Sequence, residues 1–172
     1  GETTQNDAFL PYTINQAVVV EDLPAASLNG KVETSQTSLS LSSRVSSMVT
    51  VNFRYRNRER DNKTPVLLLT PVTGDLFATA PTESRAYSFE RSKKSVDISL
   101  RPYAGLRLTT GLQQDDMARS RSEVAQNEET RRYILLSARP GNRVHLRLRF
   151  EDGYRDADEF QAITNNNPLT RR

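Results

Sequence analysis

Arginines that recur at every second position are the residues of this sequence best suited to chemistry with a partner. With one histidine that shares their alternation, they are Arg54, Arg56, Arg101, Arg107, Arg143, His145, Arg147 and Arg149. A guanidinium group presents a planar fork of donors that matches a carboxylate or a phosphate. The set therefore predicts either a path for anions or a surface that holds an acidic partner.

The composition gives little indication of a catalytic site or a metal site. The chain has no cysteine, which excludes disulfides, cysteine-ligated clusters, C-x-x-C-H haem attachment and cysteine nucleophiles. His145 is the single histidine, so it cannot build a histidine-based metal site unaided or ligate several haems. No G-x-S-x-G string orders a serine nucleophile. We therefore expect no catalytic residue, no metal site and no cofactor carried by this chain itself.

Apolar residues occupy the positions between the arginines, and this period of two is typical of β-strands. The predicted apolar set is Val51, Phe53, Tyr55, Val96, Ile98, Leu100, Leu106, Leu108, Leu146 and Leu148. The clearest strands are predicted at residues 49–58 and 143–150. Weaker alternation predicts further strands at residues 31–42, 95–101, 106–113 and 133–139.

The connections between these strands alternate in length. Residues 43–47, 102–105 and 140–142 are short and rich in turn formers, whereas residues 57–86, 115–128 and the segment from 152 onward are long and polar. Short turns at one rim and long loops at the other are the outer-membrane pattern. The sequence thus predicts an all-β fold, an antiparallel up-and-down meander that is part of a transmembrane outer-membrane β-barrel. Residues 1–30 are predicted as a loop or plug-like segment, and residues 31–172 as about six barrel strands.

The amino-acid composition favours a membrane barrel over a soluble domain. Only 35% of the residues are apolar, so a soluble β-sandwich binding module would have difficulty burying a core. In a barrel, the apolar positions face lipid and the arginine positions face the lumen. The net charge of +3 is mild, and the aromatic residues lie on the opposite parity from the arginines. Nucleic acid is therefore not an expected partner.

Several strings in the chain resemble a known family. They are NDAFLPYT at residues 6–13, LPAASLNG at 23–30, YRNRERDNKTP at 55–65, RDADEF at 155–160 and NPLTR at 167–171. In order and spacing they are similar to the MtrB/PioB family of decahaem-associated outer-membrane proteins. The resemblance implies a large barrel in the bacterial outer membrane that sheathes a periplasmic multihaem c-type cytochrome. The partner carries the haem, and an outer-surface multihaem cytochrome often caps the conduit.

The chain departs from that family in length, because members are several times longer. An N-terminal C-x-x-C of some members is missing here. Single-chain barrels close from about eight strands upward, so about six strands predict a fragment. Three functions stay open: the sheath of an electron conduit, a general outer-membrane porin or anion channel, and a soluble β-sandwich binding module. The electron donor, the acceptor and the direction of flow are left open as well.

Overall fold

A computed structural model describes residues 1–19, 21–70, 72–73, 76–77, 80–120, 122–141 and 143–160. Within these ranges the chain forms β-strands and no helix. The described residues thus include no helix long and apolar enough to cross a membrane. The strands are β1 (Glu2–Gln5), β2 (Gly30–Arg44), β3 (Val49–Asn62), β4 (Leu68–Leu69), β5 (Val72–Thr73), β6 (Leu76–Phe77), β7 (Thr82–Glu83), β8 (Phe89–Tyr103), β9 (Leu106–Arg119), β10 (Gln126–Ala138) and β11 (Leu146–Ala157).

Seven of these strands form one sheet in the order β1-β2-β3-β8-β9-β10-β11. The pairs β1–β2, β8–β9, β9–β10 and β10–β11 are antiparallel. The sheet is open, with β1 and β11 as its end strands among the described residues. The predicted all-β antiparallel meander is confirmed. Seven open strands are consistent with part of a barrel, because single-chain barrels close from about eight.

Contacts divide the chain into two compact units. The first consists of residues 1–34 and 60–88. In it, β1 pairs with the start of β2, and β4–β7 and β5–β6 form two small ladders. Lys63 Nζ lies 2.6 Å from Glu33 Oε2. The segment 57–86, predicted as one long loop, therefore begins with the end of β3 and contains short strands. The second unit consists of residues 35–59 and the described residues from 89 onward.

Most apolar side chains of the second unit share one side of the sheet, called here the apolar face. Cross-strand register aligns Leu100, Leu108, Leu136 and Leu148 in one row. The next row aligns Ile98, Thr110, Ile134 and Phe150. No apolar side chain among the described residues is buried. A soluble β-sandwich needs a second layer over such a face, so the structure argues against that alternative.

The strands continue beyond the point where the apolar alternation ends, which corrects the predicted loops. β9 extends to Arg119 and β10 begins at Gln126, so the loop predicted at 115–128 shrinks to residues 120–125. Likewise β11 continues to Ala157. Cross-strand polar pairs accompany the ladder there: Gln114 Nε2, for example, donates to Glu128 Oε1 at 2.8 Å. We call these strand ends, at residues 89–95, 113–119, 126–131 and 152–157, the polar extension.

The start of β11 also differs from the prediction. Alternation predicted a strand from Arg143, but the ladder with β10 begins where Ala138 pairs with Leu146. Pro140 lacks a backbone donor and has a fixed φ, so pairing stops before it. Arg143 and His145 therefore lie in the connection between the two strands. Asn142, part of the predicted turn, lies outside the described residues.

The turn between β8 and β9 is tight because glycine occupies its last position. Gly105 has a φ of 92°, a left-handed conformation that is costly for residues with a side chain. An added Cβ would lie 2.9 Å from the carbonyl oxygen of Arg139. The Arg139 amide donates to the Gly105 carbonyl at 2.6 Å, and the Arg101 amide donates to the Met48 carbonyl at 2.7 Å. These bonds bring the three short connections to one end of the strands, called here the turn end.

Candidate functional site: the charged face of the sheet

The side of the sheet opposite the apolar face, called here the charged face, carries most of the predicted basic set. Register places Arg107 opposite Ser137 and Ser137 opposite Arg147, while Leu135 lies between Thr109 and Arg149. Arg54 reaches the charged face too, because its side chain bonds Asp97 there. Alternation along β3 then puts Arg56 on the charged face and Val51, Phe53 and Tyr55 on the apolar face.

The remaining predicted basic residues lie near the turn end. Arg101 follows Leu100, where a bulge interrupts the β8–β9 ladder, so the ladder register does not fix its side. It nevertheless lines a common cavity with Arg107 and Arg147. His145 lines this cavity although it precedes β11. Arg143 is exposed in the connection and is not part of the cavity.

The centre of the charged face is a cross-strand cluster around Asp97, a carboxylate only 6% exposed. Tyr133 Oη donates to Asp97 Oδ1 at 2.5 Å, and Arg54 Nη1 donates to Asp97 Oδ2 at 3.0 Å. The Arg149 guanidinium lies 4.8 Å from the centre of the Tyr133 ring, in cation–π geometry. Arg149 Nε also donates to Glu151 Oε2 at 2.9 Å. Two of the predicted lumen arginines are therefore already engaged within the sheet.

Gly111, which has no side chain, lets the Tyr133 ring lie over β9 and reach Asp97 on β8. Register aligns Asp97, Gly111 and Tyr133 in one row, with glycine in the middle. A Cβ on Gly111 would collide with the Tyr133 ring and come within 2.5 Å of Asp97 Oδ1. Sequence reasoning passed over Asp97 and Tyr133. The available signal was the glycine inside an alternating strand, which often marks a close approach of a neighbouring group.

We expect Asp97→Ala to lower the free energy of unfolding by about 1–2 kcal/mol, because it leaves the Tyr133 hydroxyl and the Arg54 guanidinium without their acceptor. Arg54 is more than half exposed, and water therefore limits the effect. Urea unfolding of the full-length protein in bilayers would measure it. The control is Asp116→Ala, whose pair with Lys94 at 3.6 Å is partly exposed and should contribute about 0–1 kcal/mol. Equal losses in the two variants would contradict the assigned role of Asp97.

Charges in the polar extension are mostly paired. Arg91 Nη2 lies 2.6 Å from Asp115 Oδ2, and Lys93 Nζ lies 3.1 Å from the same oxygen. Arg131 Nε lies 2.5 Å from Glu129 Oε1. This part of the strands lies beyond the apolar alternation. Hydrogen bonds from Arg91 hold the pKa of the Asp115 carboxyl below its ordinary value. Asp115 therefore stays ionised and keeps its two cations fixed.

At the turn end, by contrast, the charged side chains are mostly unpaired in the described structure. A cavity of about 510 Å³ is lined there by Arg101, Arg107, Arg139, Arg147 and His145, together with neighbouring polar and apolar residues. Within the part of the chain that the structure describes, none of these four arginines has a carboxylate within ion-pair distance. The described residues also contain no group of three His, Asp or Glu that could hold a metal ion. The chemistry offered here is anion recognition by guanidinium groups.

The comparisons with known proteins agree with this architecture. Residues 1–172 match the family described as "Putative outer membrane beta-barrel porin, MtrB/PioB". No curated protein and no solved structure matches the chain. An exposed apolar face is typical of outer-membrane barrels, which present one to lipid. From its full-length match and its antiparallel strands, this chain belongs to the MtrB/PioB family of outer-membrane β-barrel proteins.

Proposed function

We propose that this chain is the barrel component of an electron conduit across the outer membrane, and that a multihaem c-type cytochrome occupies the lumen. The charged face lines that lumen, and the apolar face contacts lipid. The observation that carries the proposal is the arginine-rich charged face, where exposed guanidinium groups of Arg56, Arg107 and Arg147 are left without a carboxylate in the described structure. A cytochrome offers haem propionates and acidic side chains as their partners.

In this proposal the chain itself carries no redox centre and no catalytic group. It has no cysteine for covalent haem and a single histidine. Electrons cross on the haems of the periplasmic cytochrome, and the barrel supplies an insulating, water-poor sheath and a fixed position. An outer-surface multihaem cytochrome is a second proposed partner. It would dock at the long-loop end, where the polar extension continues the strands past the apolar residues.

The proposal is tested by isolating the full-length protein from its native membrane and recording haem absorbance. We expect c-type haem in stoichiometric amounts in the mild-detergent complex and none on the polypeptide after denaturing separation. The reason is that the partner, not this chain, has the attachment residues. Haem bound covalently to this chain would contradict the proposal, as would a native complex free of haem.

Substitution of lumen arginines gives a second prediction. We expect Arg147→Ser to weaken cytochrome retention as salt rises, because Arg147 has no carboxylate partner in the described structure. The double change Arg147→Ser with Arg149→Ser should release the cytochrome at lower salt, with membrane insertion unchanged. Arg149→Ser alone should have the smaller effect on retention, because Arg149 already contacts Glu151 and Tyr133. Retention is measured as haem per barrel after washes of increasing NaCl.

A general porin or anion channel is the alternative function, and the cavity at the turn end is the observation that favours it. Unpaired arginines beside an open cavity would attract small anions as readily as a protein. In that case the substitutions at Arg147 and Arg149 would change the anion conductance of the reconstituted protein. Cytochrome retention would not respond to them at any salt concentration.

A further inference from the structure

Charge is distributed unevenly along the strand axis of this chain. The three longest stretches of the sequence without any Asp or Glu are residues 34–58, 98–114 and 130–150. Each stretch surrounds one of the short connections, between β2 and β3, β8 and β9, or β10 and β11. Together they contain twelve arginines, whereas all 21 acidic residues lie elsewhere with the other twelve basic residues. The sequence around the short connections is therefore strongly positive, and the rest of the sequence carries a net negative charge.

The basic residues of these three stretches are all of one kind. All twelve basic residues of the acid-free stretches are arginines, and the four lysines, Lys31, Lys63, Lys93 and Lys94, lie outside them. Lysine would serve equally well if the charges only had to be hydrated. Arginine is favoured where planar carboxylate or phosphate groups are bound through two parallel hydrogen bonds. The composition thus indicates recognition of specific anionic groups rather than a general positive potential.

Geometry brings four of these arginines together. Arg101, Arg107, Arg139 and Arg147 line the same cavity of about 510 Å³. Arg107 and Arg147 lie on either side of Ser137 in one cross-strand row. In the described part of the structure, the nearest rows toward the long loops contribute Thr109 and Leu135, with no acid. Four guanidinium groups in one cavity repel each other, and this repulsion is relieved when an external anion enters.

We propose that this cavity is the docking site for a carboxylate-bearing surface of the protein that occupies the lumen, which enters the barrel from the turn end. The inference rests on the proposed function and adds to it a place, a set of residues and a direction. In outer-membrane barrels the short turns lie on the periplasmic side. The cavity opens on the charged face, opposite the face that contacts lipid, which favours a protein partner over a lipid headgroup. Its unpaired charge steers an acidic partner to this rim before contacts form elsewhere.

The first test compares two triple substitutions of equal charge in the full-length protein in its native membrane. The turn-end variant is Arg101→Gln, Arg107→Gln and Arg147→Gln. The control is Arg119→Gln, Arg131→Gln and Arg155→Gln, which removes three positive charges from the polar extension. We expect the turn-end variant to release the cytochrome about tenfold faster during salt washes, since three screened ion pairs of roughly 0.5 kcal/mol each amount to a factor of about ten. The control should stay close to the parent protein.

Three outcomes are distinguishable. Equal release from both triple variants would overturn the docking site while leaving the conduit intact. Absence of cytochrome from the parent protein would overturn the proposed function itself. If the glutamine variant fails to insert, the charge-preserving variant Arg101→Lys, Arg107→Lys and Arg147→Lys decides instead. It should insert and release the cytochrome faster than the parent, because lysine keeps the charge but lacks the bidentate fork; parent-like release would contradict recognition by arginine.

A second measurement leaves every arginine in place. A photo-crosslinking residue at Ser137, which lines the cavity, should attach the cytochrome to the barrel in the native complex. The same residue at Leu136, its neighbour on the apolar face, should not. A complex that retains haem but gives no cross-link from Ser137 would refute the docking site.

Discussion

Replacing Leu136 with arginine is expected to destabilise the inserted barrel by about 1–3 kcal/mol, because a cation on the lipid side costs about 2–4 kcal/mol at the middle of the bilayer and less toward the rim, and Leu136 lies two residues from the end of β10. Leu136 lies on the apolar face between Leu108 and Leu148. An arginine there loses its hydration and finds only leucines as neighbours along its row. Urea unfolding of the full-length protein in lipid bilayers would measure the loss.

The next residue in the chain provides the matched control. Leu135 lies on the charged face between Thr109 and Arg149, where the proposed environment is polar. Leu135→Arg adds the same side chain to the same strand, so the two variants differ only in the face that receives it. Leu135 also lines the turn-end cavity, so the new arginine is repelled by those already there. Because the charged face of the isolated barrel is open to water, which screens this repulsion, we expect a loss of about 1 kcal/mol, smaller than that of Leu136→Arg. A reversed order of the two variants would mean that the charged face, and not the apolar face, contacts lipid.

Adding a single methyl group at Gly111 is expected to cost about 2–3 kcal/mol of unfolding free energy, because overpacking forces side chains out of place. The added Cβ would overlap the Tyr133 ring and lie 2.5 Å from Asp97 Oδ1. The hydrogen bond between Tyr133 and Asp97 would then break or shift. The measurement is again denaturant unfolding of the full-length protein, read for Gly111→Ala.

Two comparisons make the Gly111 prediction specific. Gly153→Ala places a Cβ 3.4 Å from Arg131 Cγ, an ordinary contact with a flexible side chain, and should leave stability nearly unchanged. Combining Gly111→Ala with Tyr133→Ala removes the colliding ring, so the double variant should lose less than the two single losses added together. Simple additivity would show that the ring and the glycine do not depend on each other.

The fold class could be predicted because one physical rule governs it along most of the chain. Alternation of Val96, Ile98 and Leu100 with polar residues has only one stable reading, a strand with two unlike faces. The short connections at residues 43–47 and 102–105 then require antiparallel neighbours. Strand ends were harder to predict, because the apolar alternation stops before the strands do. Pairs such as Gln114 with Glu128 leave no periodic signal in hydrophobicity.

The sequence by itself determined that this protein is an all-β meander with an apolar face and an arginine-rich face, since a period of two divides side chains between two sides without reference to any other strand. Tertiary structure alone decided which arginines are free to bind a partner. Arg149 and Arg147 have the same parity and are two residues apart, yet Arg149 stacks on Tyr133 and bonds Glu151, whereas Arg147 lines the turn-end cavity. The Glu151 contact is local, because the two residues are neighbours on one face of the same strand. The Tyr133 contact comes from register, which sets each cross-strand neighbour and is not encoded in the period of a single strand. Register also assembled Asp97, Gly111 and Tyr133, residues from three strands, into one row.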